Sequence, residues 1–540
     1  MAHQGHRDRL TAIDASFLHQ ERESSHMHVG AIVILEGPAP SHGELAEHIE
    51  SRLHLVPRYR QKLSFPRFDM GRPFWIDDRR FNIDYHVRHT ALAAPGSIEQ
   101  LRVLAGRIFS QRLDRSKPLW EMWLVQGLEH GRVAVISKTH HALVDGVSGL
   151  DIATVLFDLQ PTPPDADPQP WEPAPEPSQA ELVAEGVKGV LRTPARLVGG
   201  LAKAAATPAS AVGRAREAIE GVGEMAWATL NPAPEVPLNV PIGSHRRVFW
   251  LQRDLADFKA IKDSLGGTVN DAFLAVVAGG LGRWLRSRGV RIEGLELRGL
   301  VPVSIRADDQ KHALGNRIAA LRGPLPVYAE DPVERLRIVR EAMQGIKDSK
   351  QALGAEVIAG IEDFAPPTLL ALASRLNFST RLFNLIVTNI PGPQFPLYLL
   401  GRQMEELIPI AFLPEDHALA IAAMSYNGKL DFGLLGDYDA MPDLEQLAGH
   451  FDAALDELLD AARGARPAKP GKRAAGAKKG NGRKRGGPGS KAASGQARST
   501  RRATSSNGGS SPSGDRAGGR SARRSGDRAG DGSASPSSDD

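Results

Sequence analysis

Apolar and polar positions follow two rhythms along the first 460 or so residues. Ala31–Leu35 (AIVIL) is a short apolar run bounded by polar residues, the pattern of a buried strand. Ser41 with Glu44 three residues on predicts a capping box opening a helix toward Leu55, which Pro57 stops. Ser97 with Gln100 predicts a second box. Behind it Leu101, Leu104, Ala105, Ile108 and Phe109 fall on one helical face. Trp120–Leu128 and Arg132–Ser137 read as strands parted by a Glu129-His130-Gly131 turn, and Val147–Leu159 as a helix.

Residues 160–178 are Pro-rich and read as an extended linker. Residues 179–230 then read as helical, broken near Pro194 and Pro208. Val183, Val187, Val190 and Leu191 line one side there, and Lys188, Arg192 and Arg196 recur on another. Such a basic amphipathic helix can lie on a membrane surface or pack on its own protein. Mixed strand and helix patterns resume afterwards. Thr268 and Asp271 cap a nearly all-round apolar helix, Val269–Leu285, which should be buried. Glu330–Lys350 and Pro442–Ala462 read as helices, Phe383–Asn389 and Ala418–Tyr426 as strands. The expected organisation is an α/β half over 1–160, a linker and helical connector over 161–240, a second α/β half over 241–463, and a tail over 464–540.

The tail changes the meaning of the net charge. The chain carries +4 overall, yet residues 464–540 hold 18 Lys/Arg and 5 Asp/Glu, a balance of +13 that leaves −9 on the rest. The tail has no Leu, Ile, Val, Met, Phe, Trp or Tyr, so it cannot bury apolar surface against its chain entropy and is expected to be disordered. Its Lys/Arg clusters can touch anionic lipid or nucleic acid, or merely solubilise the chain; no aromatic residue is interleaved for base stacking. There is no cysteine, which excludes thiolate catalysis and cysteine-ligated metal centres. No apolar run is long enough for a membrane-spanning helix, and Met1–Arg9 lacks the apolar core of a signal peptide, so a cytoplasmic location is expected.

Phosphate-loop, GxSxG, HExxH and EF-hand signatures are absent. One dense cluster remains: Thr139-His140-His141-Ala142-Leu143-Val144-Asp145-Gly146, after an apolar strand and before a predicted helix. Adjacent side chains on extended backbone point to opposite sides, so one imidazole can face a cavity while the other braces the structure. Gly146 allows a tight turn. Imidazole can take and return a proton near neutral pH. Metal ligation with Asp145 and plain core packing are the other readings, although no further His cluster lies close by to complete a zinc site.

His140-His141-x-x-x-Asp145-Gly146 resembles the HHxxxDG motif of CoA-dependent acyltransferases related to chloramphenicol acetyltransferase, shared by condensation domains of peptide synthetases. Other segments resemble one branch, the bacterial wax ester synthase/acyl-CoA:diacylglycerol acyltransferases. These are Pro118-Leu119-Trp120, Asn270-Asp271, Val301–Arg306 with Leu314-Gly315-Asn316, and Thr388-Asn389-Ile390-Pro391-Gly392-Pro393. The opening Leu10–Leu18, with Ile13-Asp14, is similar too, so the resemblance spans about residues 9–462. It implies two chloramphenicol-acetyltransferase-like α/β halves with a tunnel between them. It implies His141 as general base, His140 as its support and Asp145 as an orienting carboxylate, for which Arg306 is a candidate partner. Asn270 and Asp271 are implied as supporting residues, Asn270 also as a candidate oxyanion donor, though helix capping accounts for their position equally well. Pro118, Leu119 and Trp120 are expected to shape the scaffold or an acyl channel.

The implied reaction transfers a long-chain acyl group from acyl-CoA to diacylglycerol, giving triacylglycerol, or to a long-chain alcohol, giving a wax ester. It needs no metal and no cofactor beyond the acyl-CoA co-substrate. Lipid substrates imply work at a membrane face or lipid droplet. Two competing readings are a condensation-like enzyme using a carrier-bound acyl group, and a non-catalytic protein with an acyltransferase fold and a nucleic-acid-binding tail.

Overall fold

The computed structural model describes residues 8–67, 72–143, 156–162, 170–184, 231–304, 318–348 and 378–465. Asp145, Gly146 and Arg306 lie outside these residues, as do most of the helix expected over Val147–Leu159, the connector over 185–230 and the tail from 466 onward.

Two six-stranded sheets carry the α/β fold. The first runs in the order β12 (Tyr398–Leu399), β13 (Arg402–Ile410), β2 (His28–Leu35), β7 (Val133–His140), β6 (Trp120–Gln126), β5 (Val87–Ala91). The second runs β10 (Ile318–Leu325), β9 (Leu297–Ser304), β11 (Leu385–Pro391), β14 (Leu419–Tyr426), β15 (Lys429–Asp437), β8 (Arg246–Asp254). A small third sheet joins β1 (Asp8–Arg9), β4 (Phe74–Asp77) and β3 (Gln61–Ser64).

Sequence position does not sort these strands by sheet. β13 lies late in the chain yet pairs antiparallel with β2, with Leu407 opposite Val33 and Ile408 opposite Ile32. The two large sheets also meet backbone to backbone. A Cβ on Gly433 of β15 would fall 1.8 Å from the carbonyl oxygen of Pro409 on β13, so only glycine fits there.

The strand before the histidines is longer than the apolar pattern predicts. It continues through Lys138 and Thr139 to His140, paired with β2 on one side and β6 on the other. Lys138 is fully buried in it. Its ammonium donates to the carbonyls of Ile108 and Gln111, both at 2.8 Å, and meets Glu121 at 2.6 Å. A buried charge is tolerable when it is paired and hydrogen-bonded.

The helices used below are α1 (Ala12–Gln20), α2 (His42–Glu50), α3 (Ile98–Ser110), α4 (Leu255–Leu265), α5 (Val269–Ser287), α6 (Pro332–Asp348) and α7 (Leu444–Gly464). The capping boxes at Ser41, Ser97 and Thr268 all form. α2 ends at Glu50, short of Leu55, and the chain turns through two short 3-10 segments around Pro57. From Asp271 to Leu285, α5 is buried at every position except Arg283. Its Gly280 lets α7 close on it, because a Cβ there would lie 2.1 Å from the Phe451 ring. No single described helix is long and apolar enough to cross a membrane.

Candidate active site

The histidine pair ends β7, and each backbone amide is tied to a different neighbour. The His140 N–H donates to the Leu119 carbonyl and the His141 N–H to the Met27 carbonyl, both at 2.9 Å. Met27 takes φ +51°, left-handed for a residue other than glycine, where the chain bends into β2. This grip fixes which ring goes where.

His140 turns into the protein and is 1% exposed. Its Nδ1 accepts from the Ala142 N–H at 3.0 Å, leaving Nε2 to face a Glu21 carboxylate oxygen at 3.5 Å. Burial pushes the His140 imidazole below its ordinary pKa despite that carboxylate. Glu21 caps the end of α1 and is itself buried. Arg115 donates to it through Nε at 2.5 Å and Arg112 approaches at 3.4 Å. Burial works against charging Glu21, but His140 and Arg115 outweigh it and hold the carboxyl at about 2.

His141 points the other way, half-buried among aromatic rings. Phe17 of α1 stacks on it with centroids 3.9 Å apart, and Phe412 meets it edge-on at 5.4 Å. Phe378 closes the cage, 6.1 Å from Phe17 and 6.0 Å from Phe412. The His141 Nδ1 has no partner among the described residues. Burial, with His140 beside it, pushes the His141 imidazole down to about 4, so it stands neutral at physiological pH. A neutral imidazole in an apolar cage can accept a proton from a hydroxyl brought to it.

α1 thus lays one face across both histidines: Phe17 on His141 and, four residues later, Glu21 on His140. Neither residue was singled out from sequence. The signal present was an aromatic and a carboxylate at helical spacing in the opening segment.

The remaining motif residues are distributed around the fold. Leu119 holds His140 through its carbonyl, and Pro118 accepts from the Trp120 N–H at 2.9 Å. Trp120 is buried, donates Nε1–H to the Tyr59 carbonyl at 2.8 Å, and stacks on His86 at 4.6 Å. Asp271 completes the capping box with Thr268, with bonds of 2.8 and 3.1 Å. Asn270 accepts from the Asn389 side chain at 3.2 Å, joining the Asn-Asp pair to the Thr-Asn-Ile-Pro-Gly-Pro segment. Among the described residues neither Asn270 nor Asp271 bonds to the histidines. Among the described residues, parallel strands β9 and β11 pair only at Leu385–Gly299 and Ile386–Leu300, ahead of that segment.

Comparison with known proteins accords with this geometry. The wax ester synthase/diacylglycerol acyltransferase catalytic domain profile matches residues 10–273, and the C-terminal domain profile of that family matches residues 314–459. A Mycobacterium tuberculosis protein with the provisional name diacylglycerol O-acyltransferase Rv1760 is 33% identical over 463 residues, covering 84% of this chain and 90% of its own. The solved wax ester synthase/diacylglycerol acyltransferase of Marinobacter aquaeolei VT8 is 26% identical, with a TM-score of 0.60 over 84% of this chain and 100% of its own. The trichothecene 15-O-acetyltransferase of Fusarium sporotrichioides shares the fold at 13% identity, with a TM-score of 0.55 over 84% of this chain and 94% of its own. With the histidine pair at the end of a central strand and both family domains matched in order, the chain belongs to the wax ester synthase/diacylglycerol acyltransferase family of acyltransferases.

Proposed function

We propose that this protein transfers a long-chain acyl group from acyl-CoA to the hydroxyl of diacylglycerol or of a long-chain alcohol, with His141 as general base. The observation that carries this reading is the His141 ring set at the end of β7 in its cage of Phe17, Phe378 and Phe412, with Nδ1 unpartnered among the described residues. An alcohol is a poor nucleophile at neutral pH. His141 takes its proton as the oxygen attacks the thioester carbon. The tetrahedral intermediate collapses with loss of CoA thiolate, which recovers a proton from the imidazolium. No acyl-enzyme is required, and neither metal nor cofactor beyond acyl-CoA enters the steps. An oxyanion donor would contribute roughly 3 kcal/mol. His140 serves as a brace, tied between Glu21 and the Ala142 amide.

The test uses purified protein, labelled palmitoyl-CoA and each acceptor, with lipid products separated. His141→Ala should keep the fold and lose nearly all transfer, whereas near-normal turnover would remove the mechanism. His140→Ala should be milder or act through folding. Lipid substrates place the work at a membrane face or lipid droplet, where the +13 tail supplies electrostatic attraction. Deleting residues 466–540 should weaken binding to anionic vesicles while transfer to dispersed substrate survives; unchanged vesicle binding would assign the tail another purpose.

A further inference from the structure

A cavity of about 100 Å³ adjoins the His141 cage, lined by Gln20, Arg22, Met27, Phe378 and Glu415. Two of its walls are continuous with the site. Met27 holds the His141 amide through its carbonyl, and Phe378 packs against the Phe17 ring that stacks on His141. Gln20 is the anomaly. It is 5% exposed, yet neither its amide nitrogen nor its amide oxygen has a partner among the described residues. An orphaned buried amide is costly, and one that lines a cavity beside the site is placed to meet a ligand or an ordered water.

We propose that Gln20 is a specificity-determining residue that reads the acceptor, pairing with the ester carbonyl beside the free hydroxyl of a partial glyceride. This inference rests on the acyltransferase reading above. A plain long-chain alcohol brings only the hydroxyl that His141 engages and leaves Gln20 unpaired. A diacylglycerol brings ester carbonyls within a few bonds of its hydroxyl. The cavity rim does not suit the phosphates of acyl-CoA, since Arg22 is offset by Glu415 at 3.7 Å; the amides of its uncharged pantetheine arm are told apart from an acceptor ester by the palmitoyl-CoA KM below. A neutral lipid acceptor fits that balanced rim better.

The experiment compares wild type with Gln20→Leu, full chain, using palmitoyl-CoA with dioleoylglycerol or hexadecanol. Gln20→Leu should lower kcat/KM for dioleoylglycerol by about tenfold or more while leaving hexadecanol within about twofold, since only the glyceride loses a hydrogen bond. KM for palmitoyl-CoA should not move, and Tm should hold or rise because an orphaned amide is gone. Equal losses on both acceptors, or a raised palmitoyl-CoA KM alone, overturn the assignment in favour of scaffold or donor-side roles. A wild type that uses only hexadecanol overturns it and leaves acyl transfer standing. A wild type that uses neither acceptor removes the acyltransferase reading and this one with it.

Discussion

An exposed imidazole titrates near 6.5, but the rings around His141 move it to about 4. If this ring is the base, kcat/KM should rise with pH through an apparent pKa near 4 and be level from about pH 5.5 to 7. A pH–rate profile from about pH 3.5 to 7 checks this, and a limb near 6.5 would mean that the ring is solvated in the free enzyme. The low pKa makes His141 a weaker base than a free histidine but keeps nearly all of it in the accepting form. Phe17→Ala would remove the stacked face, admit water, and shift the same limb upward. Asp145, expected to orient the loop, and Arg306, its expected partner, lie outside the described residues. Among the described residues the carboxylate that meets the histidine pair is Glu21, brought from the end of α1 and answered by Arg115. Sequence spacing could not supply it, because Glu21 and His140 are joined by the fold alone.

Among the elements, those with local signals were legible. Capping boxes form one helical turn, so Ser41, Ser97 and Thr268 announced their helices directly, and the glycines of α5 did not hide it. Strands with mixed composition were not legible. β13 (RQMEELIPI) and β15 (KLDFGLLGD) lack clean alternation, because parts of both are buried on two faces while other positions meet solvent. β7 was read three residues short for the related reason that Lys138 is polar but satisfied inside. The Asn270-Asp271 pair separates into two roles at this scale. Asp271 belongs to the cap, and Asn270 ties the helix start to β11 through Asn389. Thr268→Ala should therefore cost about 1 kcal/mol in chemical denaturation while the remaining folded protein keeps its transfer rate. If stability is unchanged, the box contributes nothing to α5.

Across the whole molecule, several imidazoles are held uncharged. Burial pushes His86, His141 and His417 each to about 4 and His28 well below its ordinary value. In the unfolded chain these rings take up protons as pH falls below about 6.5, whereas the folded protein resists until near 4. The unfolded state then binds more protons, so stability declines as pH drops through that window. Buried Asp431, pushed up to about 7, works the other way but is one group against four, so thermal melts should show a lower Tm at pH 5 than at pH 7.5; equal values in an Asp431→Asn background would mean that the rings are not held neutral.

The loan of β13 to the N-terminal sheet sets a rule for handling this protein. A fragment ending before residue 398 would leave β2 with a bare edge carrying Ile32 and Ile34, an invitation to stack with other copies. Expressed alone, that piece should precipitate. A piece ending at residue 230, supplied together with residues 231–465, should be rescued into soluble particles, since the missing strand arrives from the second polypeptide. The N-terminal sheet is complete only when both pieces are made in each other's company.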